Sequence, residues 1–224
     1  MNRARIFWVA GVFVLSCQLV SAQDLSRYRD YALDSSLESV VAASGVRPTD
    51  TKVLHERPAK IQEVEWRAPY VRSGTELADP VRGLIFSFVD DALYQVLVSY
   101  DPDRTDGLTD SDIIASLTAS YGTPVPKSAR NRPPAASVDR VVLAQWDNAD
   151  SFLTLTRGAY STDFQLVLMS KALGTRARDA IREAARLDTA EAPRRELAQR
   201  KKEADAAAAA RDKIRTTNKA AFRP

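Results

Sequence analysis

Cysteine is almost absent from this sequence, and Cys17 is its only example. The chain after residue 17 therefore has no disulfide, no catalytic thiol and no thiolate ligand for zinc. Histidine also occurs once, as His55, beside charged residues typical of a solvated loop. Nucleophile elbows, phosphate-binding glycine loops and zinc-ligand spacings are missing as well. These absences favour a non-enzymatic protein with no cofactor, stabilised by an ordinary apolar core.

The first 22 residues have the pattern of a secretory signal peptide. Arg3 and Arg5 precede an apolar run over residues 6–15, and small residues end the segment at Ala22. The run is shorter than the roughly 18 to 20 residues of a membrane-spanning helix, so we expect no transmembrane segment in the mature chain. The sequence predicts an exported protein, either periplasmic or secreted.

Cys17 offers an alternative maturation. The tetrad Val14–Cys17 is similar to a lipobox, in which the cysteine would become a lipid-anchored first residue. Leu15 before the Ser-Cys pair fits that pattern poorly. Cleavage after Ala22, with a mature chain beginning at Gln23, is the favoured prediction.

Charge divides the rest of the chain into two parts. Residues 23–170 contain 15 Lys/Arg and 21 Asp/Glu, a net charge of −6, whereas residues 171–224 contain 15 and 8, a net charge of +7. This pattern predicts an acidic body that carries a basic tail. A basic tail can attract an unknown protein or an anionic envelope polymer, while nucleic acid is not an expected partner of an exported protein.

Hydrophobic periodicity in the first half of the body predicts one helix and three strands. Residues 33–45 have apolar positions at helical spacing and end at a glycine. Residues 61–66 alternate as a half-buried strand, and residues 84–89 and 93–100 form a hairpin around Asp90 and Asp91.

The second half repeats this order. A helix begins after Thr109, which has Asp112 three residues later as a capping partner, and its apolar positions are Ile113, Ile114 and Leu117. A loop rich in proline and basic residues follows, and then strand patterns at residues 138–146, 152–156 and 164–169.

Two tandem units, residues 30–101 and 107–172, account for the repetition. Gly45 aligns with Gly122, and each helix precedes a strand that contains a tryptophan, Trp66 or Trp146. The predicted fold class is α+β, an antiparallel sheet with helices on one face, and the alternative is one α+β domain without internal homology. The tryptophans are expected in the core, and a pair of ligand-stacking platforms is the other interpretation.

The stretch Gly107–Pro124 reads GLTDSDIIASLTASYGTP. It resembles a motif of the small outer-membrane assembly lipoproteins and the related beta-lactamase inhibitor proteins, and residues 33–45 resemble it faintly. The resemblance implies a helix before an antiparallel sheet, sometimes in tandem. Leu108 stands where that family usually has methionine, and no functional residue is carried over.

The chain changes character after the last predicted strand. We place the α+β domain at residues 23–174 and a basic, alanine-rich helical tail at 175–224. Asp188 and Thr189 can cap a new helix there, with Pro193 near its first turn. The composition is that of a coiled coil, but the apolar positions do not keep a heptad. We expect the tail to project from the body.

Four aspartates, Asp101, Asp103, Asp106 and Asp112, crowd the loop before the second helix. Three of them match positions 1, 3 and 12 of an EF-hand calcium loop, but glycine is missing from position 6 and glutamate from position 12. Roles in turns and helix caps are therefore favoured over a calcium-binding module at residues 101–112.

The favoured functional hypothesis is an exported, non-enzymatic interaction or envelope-associated protein. Besides the calcium-binding module, the alternative hypothesis is an exported hydrolase that uses aspartates, and Asp90, Asp91, Asp101 and Asp103 are its candidate catalytic residues.

Overall fold

The computed structural model describes residues 24–69, 79–126, 139–221 and 223. The signal peptide, the Cys17 alternative and most of the proline-rich loop lie outside these residues. The elements in chain order are β1 (Arg27–Tyr28), β2 (Tyr31–Ala32), α1 (Leu37–Ser44), a short 3₁₀ helix (Pro48–Asp50), β3 (Lys52–His55), β4 (Ile61–Arg67), β5 (Val81–Val89), β6 (Ala92–Tyr100), α2 (Asp110–Tyr121), β7 (Arg140–Asp147), β8 (Ser151–Gly158), β9 (Phe164–Ser170) and α3 (Lys171–Ala221).

Seven strands form one antiparallel sheet in the order β3-β4-β5-β6-β9-β8-β7. Each half contributes a run of hairpin-connected strands, and the halves meet where β6 pairs with β9. The α+β class and the antiparallel sheet expected from the sequence are confirmed, and β3 is an additional strand at one edge.

The register relates the two halves by an approximate twofold axis. In the β6–β9 pair, Gln95 lies opposite Met169 and Ser99 lies opposite Gln165. A shift of 70 residues therefore exchanges the two strands and preserves their pairing. The tryptophans are equivalent under this exchange. Trp66 pairs with Leu84, which pairs with Val98, and Trp146 pairs with Leu153, which pairs with Leu168, 70 residues after Val98.

The main core lies between the sheet and helices α1 and α2. Because side chains alternate along a strand, one face presents a continuous apolar row across six strands. This row consists of Val64, Phe86, Val96, Leu168, Leu153 and Trp146, all of them fully buried. Val40 and Val41 of α1 are buried in this core, and Ile113, Ile114 and Leu117 of α2 pack against it.

The opposite face is covered in part by the beginning of α3. Ile61, Val89 and Tyr94 alternate with the main-core positions and pack against Ala177 and Ala180. Small residues let the helix approach the sheet closely. A Cβ on Gly174 would lie only 2.9 Å from Met169 Sδ, so a larger residue there would displace the methionine side chain.

The start of α3 corrects the expectation of a separate helix capped near Asp188. The helix begins at Lys171, directly after β9, and continues through Gly174 and Pro193. Arg195 bridges the turn around the proline, donating from Nη2 to the carbonyl oxygen of Asp188 at 3.0 Å and to its carboxylate at 2.9 Å. The tail therefore belongs to the same helix that begins directly after β9.

The N-terminal segment is a second difference. Residues 27–32 form a small hairpin, and Leu25 and Tyr28 are buried in the main core. Helix α1 begins only at Leu37, because Ser36 caps it and accepts a hydrogen bond from Ser39 N. In the described part of the chain, no helix is long and apolar enough to cross a membrane.

Candidate functional site

The acidic loop before α2 serves backbone geometry. Asp101 Oδ1 accepts a hydrogen bond from the N–H of Asp103 at 3.0 Å, which closes a turn. Asp112 Oδ2 accepts from the N–H of Thr109 at 2.8 Å, and Thr109 Oγ1 accepts from the N–H of Asp112, so the predicted capping box is confirmed. The Thr109 hydroxyl also donates to Asp112 Oδ2 at 2.6 Å, and this bond, together with the one from the Thr109 N–H, lowers the pKa of Asp112. Asp106 precedes Gly107, whose φ is +78°. Within the described ranges, no group of three or more His, Cys, Asp or Glu residues is arranged to hold a metal ion.

The aspartates of the hydrolase alternative do not form one cluster. Asp90 and Asp91 occupy the β5–β6 turn, with φ values of 47° and 65° that suit a tight hairpin. Asp101 and Asp103 follow the other end of β6, a strand of nine residues. The two pairs are therefore about 30 Å apart, at roughly 3.3 Å per residue.

His55 and the tryptophans have structural settings. His55 is half-buried on β3 at the sheet edge, opposite Ile61. Trp146 is fully buried, and its Nε1 donates to the carbonyl oxygen of Gly122 at 2.6 Å. Trp66, its counterpart in the first half, is half-buried against the main core. The core interpretation of both tryptophans is confirmed, since neither forms an open stacking platform.

Three tyrosines lie at the N-terminal hairpin: Tyr28 within it, and Tyr100 and Tyr121 from the rest of the body. Tyr28 and Tyr100 are hydrogen-bonded, and burial raises the pKa of Tyr28 strongly and the pKa of Tyr100 to about 12. Burial also raises the pKa of Tyr121 to about 12. Arg29 donates to both carboxylate oxygens of Asp79, at 2.5 and 2.8 Å, and this bond lowers the pKa of Asp79. The cluster anchors the hairpin to the sheet.

An apolar groove lies between α1 and the edge strand β3 and has a volume of about 690 Å³. Its apolar lining consists of Leu37, Val41, Ala42, Val46, Pro48 and Val53. The side chain of Val53 is 44% exposed there. A volume of this size with mostly apolar walls is typical of binding sites for apolar groups.

Four polar side chains complete the groove: Glu38, Arg47, Thr51 and Gln62. Arg47 is ion-paired with Asp50 at 3.1 Å. Glu38 lies in the first turn of α1 and forms no ion pair with any described residue. Gln62 is buried, and with its amide nitrogen toward Asp91 it donates to Asp91 Oδ1 at 2.7 Å and accepts from Lys60 Nζ at 3.1 Å. Of the two charged side chains in the lining, Arg47 is ion-paired with Asp50, and Glu38 has no ion pair with a described residue.

The edge of β3 itself is protected against strand addition. The strand has four residues, carries Lys52 and is interrupted by an irregular register between Val53 and His55. A short strand, a lysine and a bulge are features that prevent an edge strand from pairing with a strand of another molecule. The groove is therefore suited to inserted side chains rather than to an additional strand.

Helix α3 changes environment along its length. Its last buried residue among those described is Ala184, and Leu187 and Glu191 are half-buried. Arg57 Nη1 donates to Glu191 Oε1 at 2.8 Å, and this bond lowers the pKa of Glu191. Arg176 similarly pairs with Asp90. The helix is thus held against the body as far as Glu191, and we call residues 192–221 the outer helix.

The outer helix is exposed along its whole length. Its two large apolar side chains, Leu197 and Ile214, are 74% and 60% exposed. Some of its charges are paired within the helix, such as Arg200 with Glu196 at 2.5 Å. Six cations form no ion pair with any described residue: Arg194, Lys201, Lys202, Arg211, Lys213 and Lys219. The outer helix therefore presents uncompensated positive charge to solvent.

No protein-family model, curated protein or solved structure matches this chain.

Proposed function

We propose that this is an exported, non-enzymatic envelope-associated protein that binds an anionic envelope polymer through its outer helix. The folded body then serves as the attached module. The observation that carries the proposal is the exposure of residues 192–221 as a helix outside the core, with nine Lys/Arg and four Asp/Glu, a net charge of +5.

The exposed length distinguishes this helix from an ordinary surface helix. A polar helix normally still buries one face against its own domain. Here the buried positions of α3 stop at Ala184, and the outer helix, residues 192–221, has a length of about 45 Å at 1.5 Å per residue. Cations distributed along that length suit a polymer that presents repeated negative charges.

The unpaired lysines supply enough attraction for measurable binding. A Lys or Arg near an anionic surface contributes about 1 kcal/mol, so Lys201, Lys202, Lys213 and Lys219 together contribute about 4 kcal/mol. That value corresponds to roughly a thousandfold in affinity. The attraction should weaken steeply with salt, because exposed charges are screened within about 10 Å at 0.1 M ionic strength.

The test measures binding of the purified protein to dextran sulfate, with neutral dextran for comparison. We expect binding to dextran sulfate at low salt and its loss at high salt. Replacing the four unpaired lysines by glutamine should weaken binding by two to three orders of magnitude, estimated as about 1 kcal/mol each.

The matched control makes the same charge change on the body, with Arg47, Lys52, Arg67 and Arg82 replaced by glutamine. All four residues are exposed and lie outside α3. Equal weakening by both sets would show that net charge matters rather than the outer helix, and binding that is insensitive to salt would refute the proposal. Binding to phosphatidylglycerol vesicles without binding to dextran sulfate would assign the helix to lipid instead.

A further inference from the structure

We propose that the apolar groove beside α1 is the docking site for the outer helix of a second copy of this chain, which inserts Leu197. The inference goes beyond polymer binding, because it assigns a partner to the body and a role to an apolar side chain.

The groove sets two requirements for its occupant. Its walls are apolar, so the inserted group must be an apolar side chain. Glu38 lies at the groove without an ion pair among the described residues, so a cation beside that side chain would be favoured. The protected edge of β3 argues against a partner strand.

The outer helix meets both requirements around Leu197. This side chain is 74% exposed, and Ile214 is the other large apolar residue of the outer helix. Arg194 and Lys201 lie three residues before it and four residues after it, which places them on the same side of the helix. Neither cation forms an ion pair with a described residue, so each is available to Glu38 of another molecule.

Charge complementarity extends beyond these contacts. Residues 23–170 have a net charge of −6 and the outer helix has +5, so the outer helix of one copy is attracted to the body of another.

The occupant cannot be the tail of the same molecule. The groove is on the sheet face that carries α1, whereas α3 packs on the opposite face against Ile61 and Val89. The helix remains continuous to Ala221 and therefore does not turn back around the sheet. A contact between two different surface regions is heterologous, and it either closes as a reciprocal pair or continues as a chain of molecules.

The experiment is sedimentation velocity of the purified protein from about 1 to 100 μM, a range that reveals weak association. We expect the average mass to rise with concentration at low salt and to fall again at high salt. Leu197→Ser should weaken association by about tenfold or more, as expected for a central apolar anchor. Ile214→Ser, on the same helix, should leave it unchanged.

A second pair of variants tests the groove. Ala42 lines the groove and Ala43 does not, although both are exposed on α1. Ala42→Trp should fill the groove and weaken association about as much as Leu197→Ser, whereas Ala43→Trp should have no effect. Circular dichroism verifies that both variants are folded.

A charge exchange tests the polar contact. Glu38→Arg should weaken association, and combining it with Arg194→Glu in the same chain should restore part of it. A monomer across the whole concentration range would overturn the proposal. Association that is lost with Ile214→Ser but unchanged by Ala42→Trp would overturn it as well, because the tail would then bind elsewhere on the body.

Discussion

Two truncations of α3 should have very different effects on stability. A chain ending at Gly174 loses the helix that covers Ile61, Val89 and Tyr94, whereas a chain ending at Ala192 keeps it. We expect the chain ending at Ala192 to be as stable as the full chain, because residues 193–221 are all exposed. The shorter chain should be markedly destabilised.

The size of that loss follows from the burial of three side chains. Ile61 and Val89 are 0% exposed and Tyr94 is 9% exposed. Complete burial of a large apolar side chain contributes about 1.5 to 3 kcal/mol, and α3 covers one side of each. About half of that value for each of the three side chains gives a loss of about 2 to 4.5 kcal/mol. Total stabilities are about 5 to 15 kcal/mol, so the loss would be a large fraction.

Urea unfolding followed by circular dichroism measures both truncations against the full chain. The helical signal of the outer helix differs between the chains, so the transition midpoint and slope are fitted in the β-sheet signal. Equal stability of the chains ending at Gly174 and Ala192 would refute the reasoning, since the packing of α3 on Ile61, Val89 and Tyr94 would then contribute nothing.

Two further predictions concern the body. Trp146→Phe removes the donor to the Gly122 carbonyl and leaves a cavity, so it should lower the free energy of unfolding by about 2 to 4 kcal/mol. Trp66→Phe, at the equivalent half-buried position, should lower it by less than about 1.5 kcal/mol. Urea unfolding compares the two variants, and a larger loss for Trp66→Phe would contradict the assignment. Burial raises the pKa of Tyr100 to about 12, above the roughly 10 of an unfolded tyrosine, so its contribution to stability is full below about pH 10 and is lost as the pH rises through about 12. Tyr100→Phe should therefore make alkaline unfolding less steep, and an unchanged pH dependence would count against a buried, neutral phenol.

Local chemistry allowed much of the fold to be predicted from the sequence. The Thr109–Asp112 capping box and the helix that ends at Gly45 depend on neighbouring residues alone, and both are confirmed. The strands with tryptophans were recognisable because their apolar residues alternate. The equivalence of Trp66 and Trp146 follows from the register of the sheet.

The features that sequence patterns missed depend on distant contacts. The N-terminal hairpin is held by Arg29 and Asp79, which are 50 residues apart, and β3 is too short for a clear alternation. Pro193 predicts a boundary by local rules, yet α3 continues through it. Arg57 holds Glu191 just before the proline, and Arg195 is bonded back to Asp188 across it. The apolar groove has no local signature, because it is a gap between α1 and a strand that was not expected.

The direct passage from β9 into α3 has a mechanical consequence. Ser170 ends the strand and Lys171 begins the helix, so no flexible linker separates the tail from the sheet. Strand β9 is bonded to β6 on one side and to β8 on the other. A pulling force on the tail therefore enters the sheet at its centre, where two ladders of hydrogen bonds share the load, rather than at an edge strand that could be peeled away alone. A force or a rotation applied to α3 is therefore transmitted directly to the sheet.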